Sequence, residues 1–410
     1  MKITIRSIVN GLILIIFMLT PIFGWQELLT SFPGFSGIMS SGPMVLIKII
    51  KDLVLGIIAV LFMIDLLVAR RKLVENAWLW LLMGLLLLSA ASTYFYEPMM
   101  AIVGVRVFSP FILVFVSYRF FDLPSFRRIK NVLFAVCLLE FAVALVQRSF
   151  FYGMPALFGS RVFGTFTAPG AFAAFICYVL CLQMGDDLAR HNKVKIRTWV
   201  FYLLSIVFIL FAASGGGLVS LAVIAVVYFL VYARVDVLIK YMLVPVILII
   251  PLVAFSNLPL LTGRNQIISE SGSTRLSIFV EMISTFGIKE MAIGKGLGIG
   301  SNAAATIQTY NIVPGMTGDE DILIADSFYA SALSQVGLVF LVAFIVFMLN
   351  RFLFAWRNKM SGINPTIILT VPLILVTSMT GIITESFPLN WLIFILFGVA
   401  LKEQDNNNAA

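Results

Sequence analysis

Charge is scarce in this sequence: 28 Lys and Arg and 20 Asp and Glu stand among 410 residues, 12% in all. Soluble domains carry about a quarter charged residues and about half apolar ones. Here 61% are hydrophobic and the mean hydropathy is +1.05. That excludes a soluble globule and predicts an all-α integral membrane protein, a single polytopic domain over 1–402 with lipid around most of its apolar surface. Histidine is nearly absent. The single one, His191, lies in the basic loop ARHNKVKIR without a carboxylate or cysteine cluster, the setting of a solvated side chain. Cysteine is rare too. Cys137, Cys177 and Cys181 all fall in apolar runs with neither disulfide nor metal spacing, and read as small buried hydrophobes. No repeat of fixed period stands out, and no inverted pair of broken helices. The first apolar run follows Lys2 and Arg6 but lacks a small-residue cleavage site, so it is expected to remain as a span.

What the chain has in abundance is long apolar runs. A spanning helix needs about 20 mostly apolar residues. By that measure the candidates number about twelve: 7–24, 44–68, 76–93, 100–119, 130–147, 166–184, 198–213, 216–233, 240–256, 328–350, 365–384 and 388–402. Lysine and arginine assign the sides. MKITIR, 69–72, 118–130, 189–197, 234–240, 351–359 and Lys402 hold 19 of the 28 basic residues, all on one side of that pattern. The opposite loops at 25–43, 94–99, 214–217 and 385–387 hold none. The rule that basic loops stay inside then predicts an inner-membrane protein with both termini cytoplasmic and the 256–327 loop outside. The net charge of +8 therefore reads as topology, with no nucleic-acid partner expected. Composition predicts a disordered cytoplasmic tail over 403–410.

The 256–327 segment is the one long polar stretch. Its run STRLSIFVEMISTF puts Leu276, Phe279, Met282, Ile283 and Phe286 on one helical face, so a short amphipathic helix is expected there. GKGLGIGS carries neither a phosphate-binding loop nor a dinucleotide fingerprint, and is expected to make a tight turn above the membrane. GDEDILIAD lacks a ligand geometry, and no metal is expected.

Ionisable groups inside a bilayer are expensive, so each asks for a partner or a role. Lys48, Lys51 and Asp52 sit in the outer half of the second span, Arg106 near the outer end of the fourth and Glu140 in the middle of the fifth. Lys48 and Asp52 are spaced i,i+4 to pair, and Arg106 could be neutralised by Asp52 or Glu140 from another span; Asp65, near the inner end, is expected to be solvated. Outside, basic residues occur in only two loops: Arg148 and Arg161, then Arg264, Arg275, Lys289 and Lys295. Positive charge there runs against the topology rule. A planar guanidinium suits phosphate, and a lipid-tailed diphosphate would meet these arginines at the membrane boundary.

Four segments in order carry a resemblance: RVFGTFTAPGAFAAFI, FAASGGGLVSLAVIAVV, STRLSIFVEMISTF running on to IKEMAIGKGLGIGS, and DSFYASALSQVGL. Together, over roughly residues 45–350, they resemble the bacterial O-antigen polymerase and ligase family. These are polytopic glycosyltransferases of undecaprenyl-diphosphate-linked sugars. The resemblance implies a GT-C-like bundle, Arg161 and Arg275 gripping the lipid diphosphate, and Arg106 with Lys51 and Asp52 lining the same cavity beside the Ser214–Gly217 turn. Arg148 and Arg264 join that set by charge and side. Two features depart from the family pattern. No arginine follows the Ser/Gly turn, and Asp326, followed by Ser327, stands where ligases carry a histidine, which favours the polymerase branch. Catalysis would then rest on neutralising the leaving diphosphate and orienting an acceptor sugar hydroxyl. Asp326 is the candidate base, with Glu270 or Asp321 as alternatives. The competing role for Asp326 is a helix cap shared with Ser327. The implied partners are the lipid-linked oligosaccharide, membrane lipid, a chain-length regulator and a flippase; no cofactor is implied beyond the lipid-diphosphate donor. A ligase acting on lipid A-core is the second enzyme reading, and a lipid-linked sugar flippase the reading of another class.

Overall fold

The computed structural model describes residues 4–23, 42–69, 74–151, 161–166, 168–190, 196–233, 277, 279–281, 283–299, 301, 327–381 and 385–409. Every regular element among them is a helix, which lipid demands of an open chain because each backbone N–H and C=O must be satisfied locally. In chain order these are α1 (Ile5–Met18), α2 (Thr20–Phe23), α3 (Gly42–Ala69), α4 (Ala77–Tyr96), α5 (Pro98–Phe108), α6 (Ile112–Phe120) and α7 (Leu123–Phe151). Then follow α8 (Pro169–Ala189), α9 (Ile196–Ala212), α10 (Gly215–Tyr232), α11 (Ile288–Ile293), α12 (Phe328–Arg357), α13 (Asn364–Thr380) and α14 (Leu389–Ala409).

Six described helices are long and apolar enough to cross a membrane: Ala77–Tyr96, Pro98–Phe120, Leu123–Ser149, Pro169–Ala189, Gly215–Tyr232 and Phe328–Arg357. Pro98–Phe120 joins α5 to α6 through a 3-10 turn at Ser109–Phe111, where Pro110 supplies no amide to an α-helical ladder. The predicted stretch 240–256 lies outside the described residues.

Burial separates the centre of the bundle from its rim. Phe172, Phe175 and Tyr178 of α8, Ile368 and Leu373 of α13 and Trp391 and Ile395 of α14 are buried, whereas Leu87 and Leu88 of α4 and Leu203 of α9 are exposed. Without a hydrophobic drive between helices in lipid, close backbone approach does the joining, and small residues permit it. Gly185 of α8 abuts the Thr366 backbone of α13, and Gly398 of α14 abuts Val114 of α6.

The basic loops meet at one end. Arg6 pairs with Asp122, and Arg119 Nε reaches Asp65 at 2.6 Å. Asp186 collects Arg127 Nε at 2.9 Å, Lys130 Nζ at 2.6 Å and Arg190 at 3.0 Å. Asp65, expected to be solvated, is therefore a half-buried ion pair. The tail is also unlike its composition. α14 runs on to Ala409 because its polar end finds partners: Glu403 accepts the Ile363 amide at 2.8 Å, Asp405 the Tyr118 hydroxyl at 2.7 Å, and Gln404 the Arg351 guanidinium. A disordered tail is corrected on that ground.

Asp122 opens α7, accepting the Ser125 amide at 2.9 Å. Desolvation alone would raise its pKa, but the Ser125 hydroxyl and amide and the Arg6 guanidinium outweigh it and hold the carboxyl at about 2, below the ordinary 3.8. A depressed carboxylate stabilises fully above its unfolded pKa and loses that contribution as pH falls through the folded one. Asp122→Ala is thus expected to cost about 1 kcal/mol at neutral pH, the loss of a helix cap. Thermal unfolding in detergent should show the deficit shrinking as pH falls from about 4 to about 2.

Candidate functional site

At the end away from those basic loops, the structure brings three of the expected site residues onto one turn. α9 ends at Ala212, Ala213 turns the chain with φ 45°, and Ser214 caps α10 by accepting the Gly217 amide at 3.3 Å. Arg161 lays its Nε on the Ala212 carbonyl at 3.0 Å, and the adjacent Val162 amide bonds the Phe211 carbonyl at 3.3 Å. Arg148, from the end of α7, stands over the Phe211 ring at 5.4 Å. Both arginines are half-buried. Two guanidinium groups and the N-terminus of α10 thus share one short stretch, 211–214.

Arg161 is placed by the residues after it. Val162 to Phe166 fold back onto α7, where Gln147 Oε1 accepts the Phe163 amide at 3.0 Å and the Gly164 amide at 2.9 Å. The Gln147 Nε2 donates to the Gly164 carbonyl at 2.7 Å. One turn-pair earlier on the same face, Glu140 accepts the Thr165 amide at 2.8 Å and its hydroxyl at 2.6 Å. Glu140 and Gln147 are both fully buried, so these bonds offset what would otherwise be costly desolvation. The expected pairing of Glu140 with Arg106 does not form. Its carboxylate serves the backbone instead, and Phe166 locks the segment by packing on Phe175 at 4.9 Å between ring centres.

Two more helix starts border the turn. Gly170, in the first turn of α8, faces the Ser214 hydroxyl, and Gly216 faces Thr380 at the end of α13. The next residue, Gly381, accepts the Phe328 amide at 3.1 Å, and Ser327 donates its hydroxyl to the Ser378 carbonyl at 3.1 Å. The N-termini of α8, α10 and α12 therefore gather around the C-terminal end of α13. Helix N-termini carry partial positive charge, which favours anions within about one turn. Ser327 holds the N-cap position of α12.

A second charged group lies at α3 and α5. Arg106 Nε bonds Asp52 at 2.8 Å, Lys51 Nζ stands 3.6 Å from the same carboxylate and 5.6 Å from the Phe387 ring centre. Arg106 pairs with Asp52, one of its two expected partners, leaving the trio with one net positive charge. Half the Arg106 side chain is exposed, so the bridge contributes at most about 1 kcal/mol to stability. The common cavity implied by the resemblance belongs to the proposal below. Arg275, Arg264, Asp326, Glu270 and Asp321 lie outside the described residues, and for Lys48 the described part is its backbone alone. Among the described residues no three His, Cys, Asp or Glu side chains gather as metal ligands.

The glycine run makes the tight turn expected of it, the Ile299 amide on the Gly296 carbonyl at 3.2 Å, but in an unexpected place. Residues 294–299 do not sit above the helices; they are inserted between α4, α5 and α12. Thr93 accepts the Leu297 amide at 2.7 Å, Gln335 Oε1 the Gly298 amide at 2.8 Å, and the Ser334 carbonyl the Lys295 amide at 2.7 Å. α12 is broken at Gly337, with φ 85° and ψ 178°. That break removes the ladder donors of the preceding turn and frees its carbonyls. The Lys295 amide takes Ser334, and the Ser89 hydroxyl takes Gln335 at 2.9 Å. Glycine is required by contact as well. A Cβ on Gly104 of α5 would overlap the Gly298 amide, and one on Gly337 would overlap the Ala292 carbonyl. A polar Thr93 and Gln335 inside apolar helices were the available signal for this clamp. The same holds for Gln147 seven residues after Glu140.

No protein-family model matches this chain, and no curated protein matches it.

Proposed function

We propose that this chain is a glycosyltransferase of the bacterial inner membrane that polymerises undecaprenyl-diphosphate-linked oligosaccharide repeat units into O-antigen or capsular polysaccharide. In this reading it has about twelve spans in a GT-C-like arrangement, both termini in the cytoplasm and the arginine-bearing end at the periplasmic face. The observation that carries it is the placing of Arg148 and Arg161 on the 211–214 turn beside the α10 N-terminus. That concentration of positive charge lies at the end away from the basic loops, where lysine and arginine occur in only two loops, and it suits a membrane-anchored diphosphate.

In the reaction an acceptor sugar hydroxyl attacks the anomeric carbon of the donor. Its O–H proton passes to a base, the new glycosidic C–O bond forms, and the bond to the diphosphate breaks, releasing undecaprenyl diphosphate. Arg161 and Arg148 neutralise the charge growing on the leaving oxygen, together with Arg275 and, further out, Arg264. Asp326 receives the proton, and Arg106 with Lys51 and Asp52 lines the approach. Deleting the gene and separating the cell-surface glycan by electrophoresis tests the reading. Core bearing one repeat unit is the expected product. Unmodified core with lipid-linked polymer accumulating would make it a ligase, and unpolymerised lipid-linked repeat on the inner leaflet a flippase.

A further inference from the structure

We propose that residues 279–281 and 283–295 form an interfacial anchor seated in the phospholipid leaflet on the side of Arg148 and Arg161, an assignment independent of the glycosyltransferase reading. Its apolar side chains are turned outward. Val280, Ile283, Ile288 and Ile293 are exposed, Ile288 to 94%, while Phe279 and Phe286 are half-covered. In water such a ridge would be strongly disfavoured.

Its height along the bundle says what meets it. α4 carries exposed aromatic residues at both ends, Trp78 and Trp80 at one and Tyr94, Phe95 and Tyr96 at the other. Trp78 to Tyr96 spans about 27 Å of helix, close to the thickness of a hydrocarbon core. Aromatic side chains prefer the two boundaries of that core. The segment lies inside this ruler rather than beyond it. Ser89, seven residues before Tyr96, bonds Gln335, and Gly337 just beyond touches Ala292 of α11. α11 therefore ends roughly 10 Å below the Tyr96 boundary, at the depth reached by interfacial helices.

α4, spanning the same depth, is likewise bare at Leu87, Leu88 and Phe95. Its charges fit a boundary position. Glu290 is turned back to the Gly287 amide at 3.0 Å, and Lys295 lies over the Phe286 ring at 4.9 Å. Lys289 and Lys295 are exposed on flexible stems that reach towards headgroup phosphates, and Glu281 is exposed alongside them.

Cys137, Cys177 and Cys181 are buried, so a cysteine placed at Ile288 takes a nitroxide label selectively. The full chain carrying Ile288→Cys is labelled and reconstituted in vesicles of phosphatidylethanolamine and phosphatidylglycerol, and collision with oxygen and with a water-soluble nickel chelate is measured. The proposal expects oxygen collisions to exceed nickel collisions at Ile288→Cys, and the balance to shift towards nickel at Lys289→Cys. Nickel collisions dominating at Ile288→Cys would overturn it, placing the ridge in water. Dipolar broadening between labels would overturn it as well, because a second copy would then cover the ridge.

Discussion

Arg161→Ala is expected to leave the protein inserted at its normal level and to remove long-chain glycan from the cell surface. The stability cost is small, since the Arg161 Nε bond to the Ala212 carbonyl is one hydrogen bond to a partly buried group, worth about 1 kcal/mol net. The loss in turnover is large. Removing one preorganised charge donor from a developing anion typically costs about 100- to 1000-fold in rate. Chain-length ladders on a gel, normalised to membrane-extracted protein, check both halves at once. Arg161→Lys separates charge from geometry, because an ammonium restores the positive charge but not the fork that bonds Ala212 and a phosphate oxygen together. Partial ladders from the lysine variant and none from the alanine variant are expected. A normal ladder from Arg161→Ala would remove the diphosphate grip from the proposed mechanism, whatever the deletion strain shows.

How much of this was legible in the sequence follows from where the physics is local. The gathering of Arg6, Arg119, Arg127, Lys130 and Arg190 at one end could be read off directly, because a charge in a short loop cannot cross lipid and one rule governs every loop. The closeness of Arg148 and Arg161 was foreshadowed by their common loop. Their meeting with Ser214 was implied by the resemblance alone and not by the residues, since it depends on Gln147 and Glu140 folding the chain back across α7. A buried Glu reads the same whether it pairs with an arginine or with a threonine amide. Arg106 and Asp52 illustrate the converse, a pairing between helices that the cost of charge in lipid suggested as one of two.

The place of the glycine run was misread for a definable reason. Gly, Ser and Lys in close sequence signal a turn, and exposed turns are the commonest use of that composition. Here the same small residues let a loop backbone approach two helices, and the amides left by the tight course are met by Thr93 and Gln335. Propensity describes the segment alone, whereas the clamp belongs to three partners far away in the chain. The amphipathic run left the destination of its apolar face open. The apolar face of that run includes Ile283, which is exposed, because in lipid an apolar face has two acceptable destinations.

Gly337→Ala is expected to be strongly destabilising. A residue with a side chain is held at φ 85° and ψ 178° only at a cost, and its Cβ would overlap the Ala292 carbonyl. Together these come to about 2–6 kcal/mol. The helix relieves the strain by closing its own ladder at that point. Closure reclaims the Ser334 and Gln335 carbonyls, so the Lys295 amide and the Ser89 hydroxyl lose their acceptors in the same step. The 294–299 segment should therefore come loose as a unit. Leu297→Cys reports this: its side chain is 1% exposed in the native fold, so a maleimide should label it slowly alone and quickly when Gly337→Ala is added. Gly84→Ala is the control, a helix glycine of α4 with open space where the Cβ would go. It should gain up to about 1 kcal/mol from helix propensity and leave Leu297→Cys protected. Slow labelling in the Gly337→Ala background would mean that the break in α12 and the inserted loop are independent. Fast labelling would join them into one device, with the kink in α12 holding the middle of the segment whose flanks carry Arg275 and Asp326.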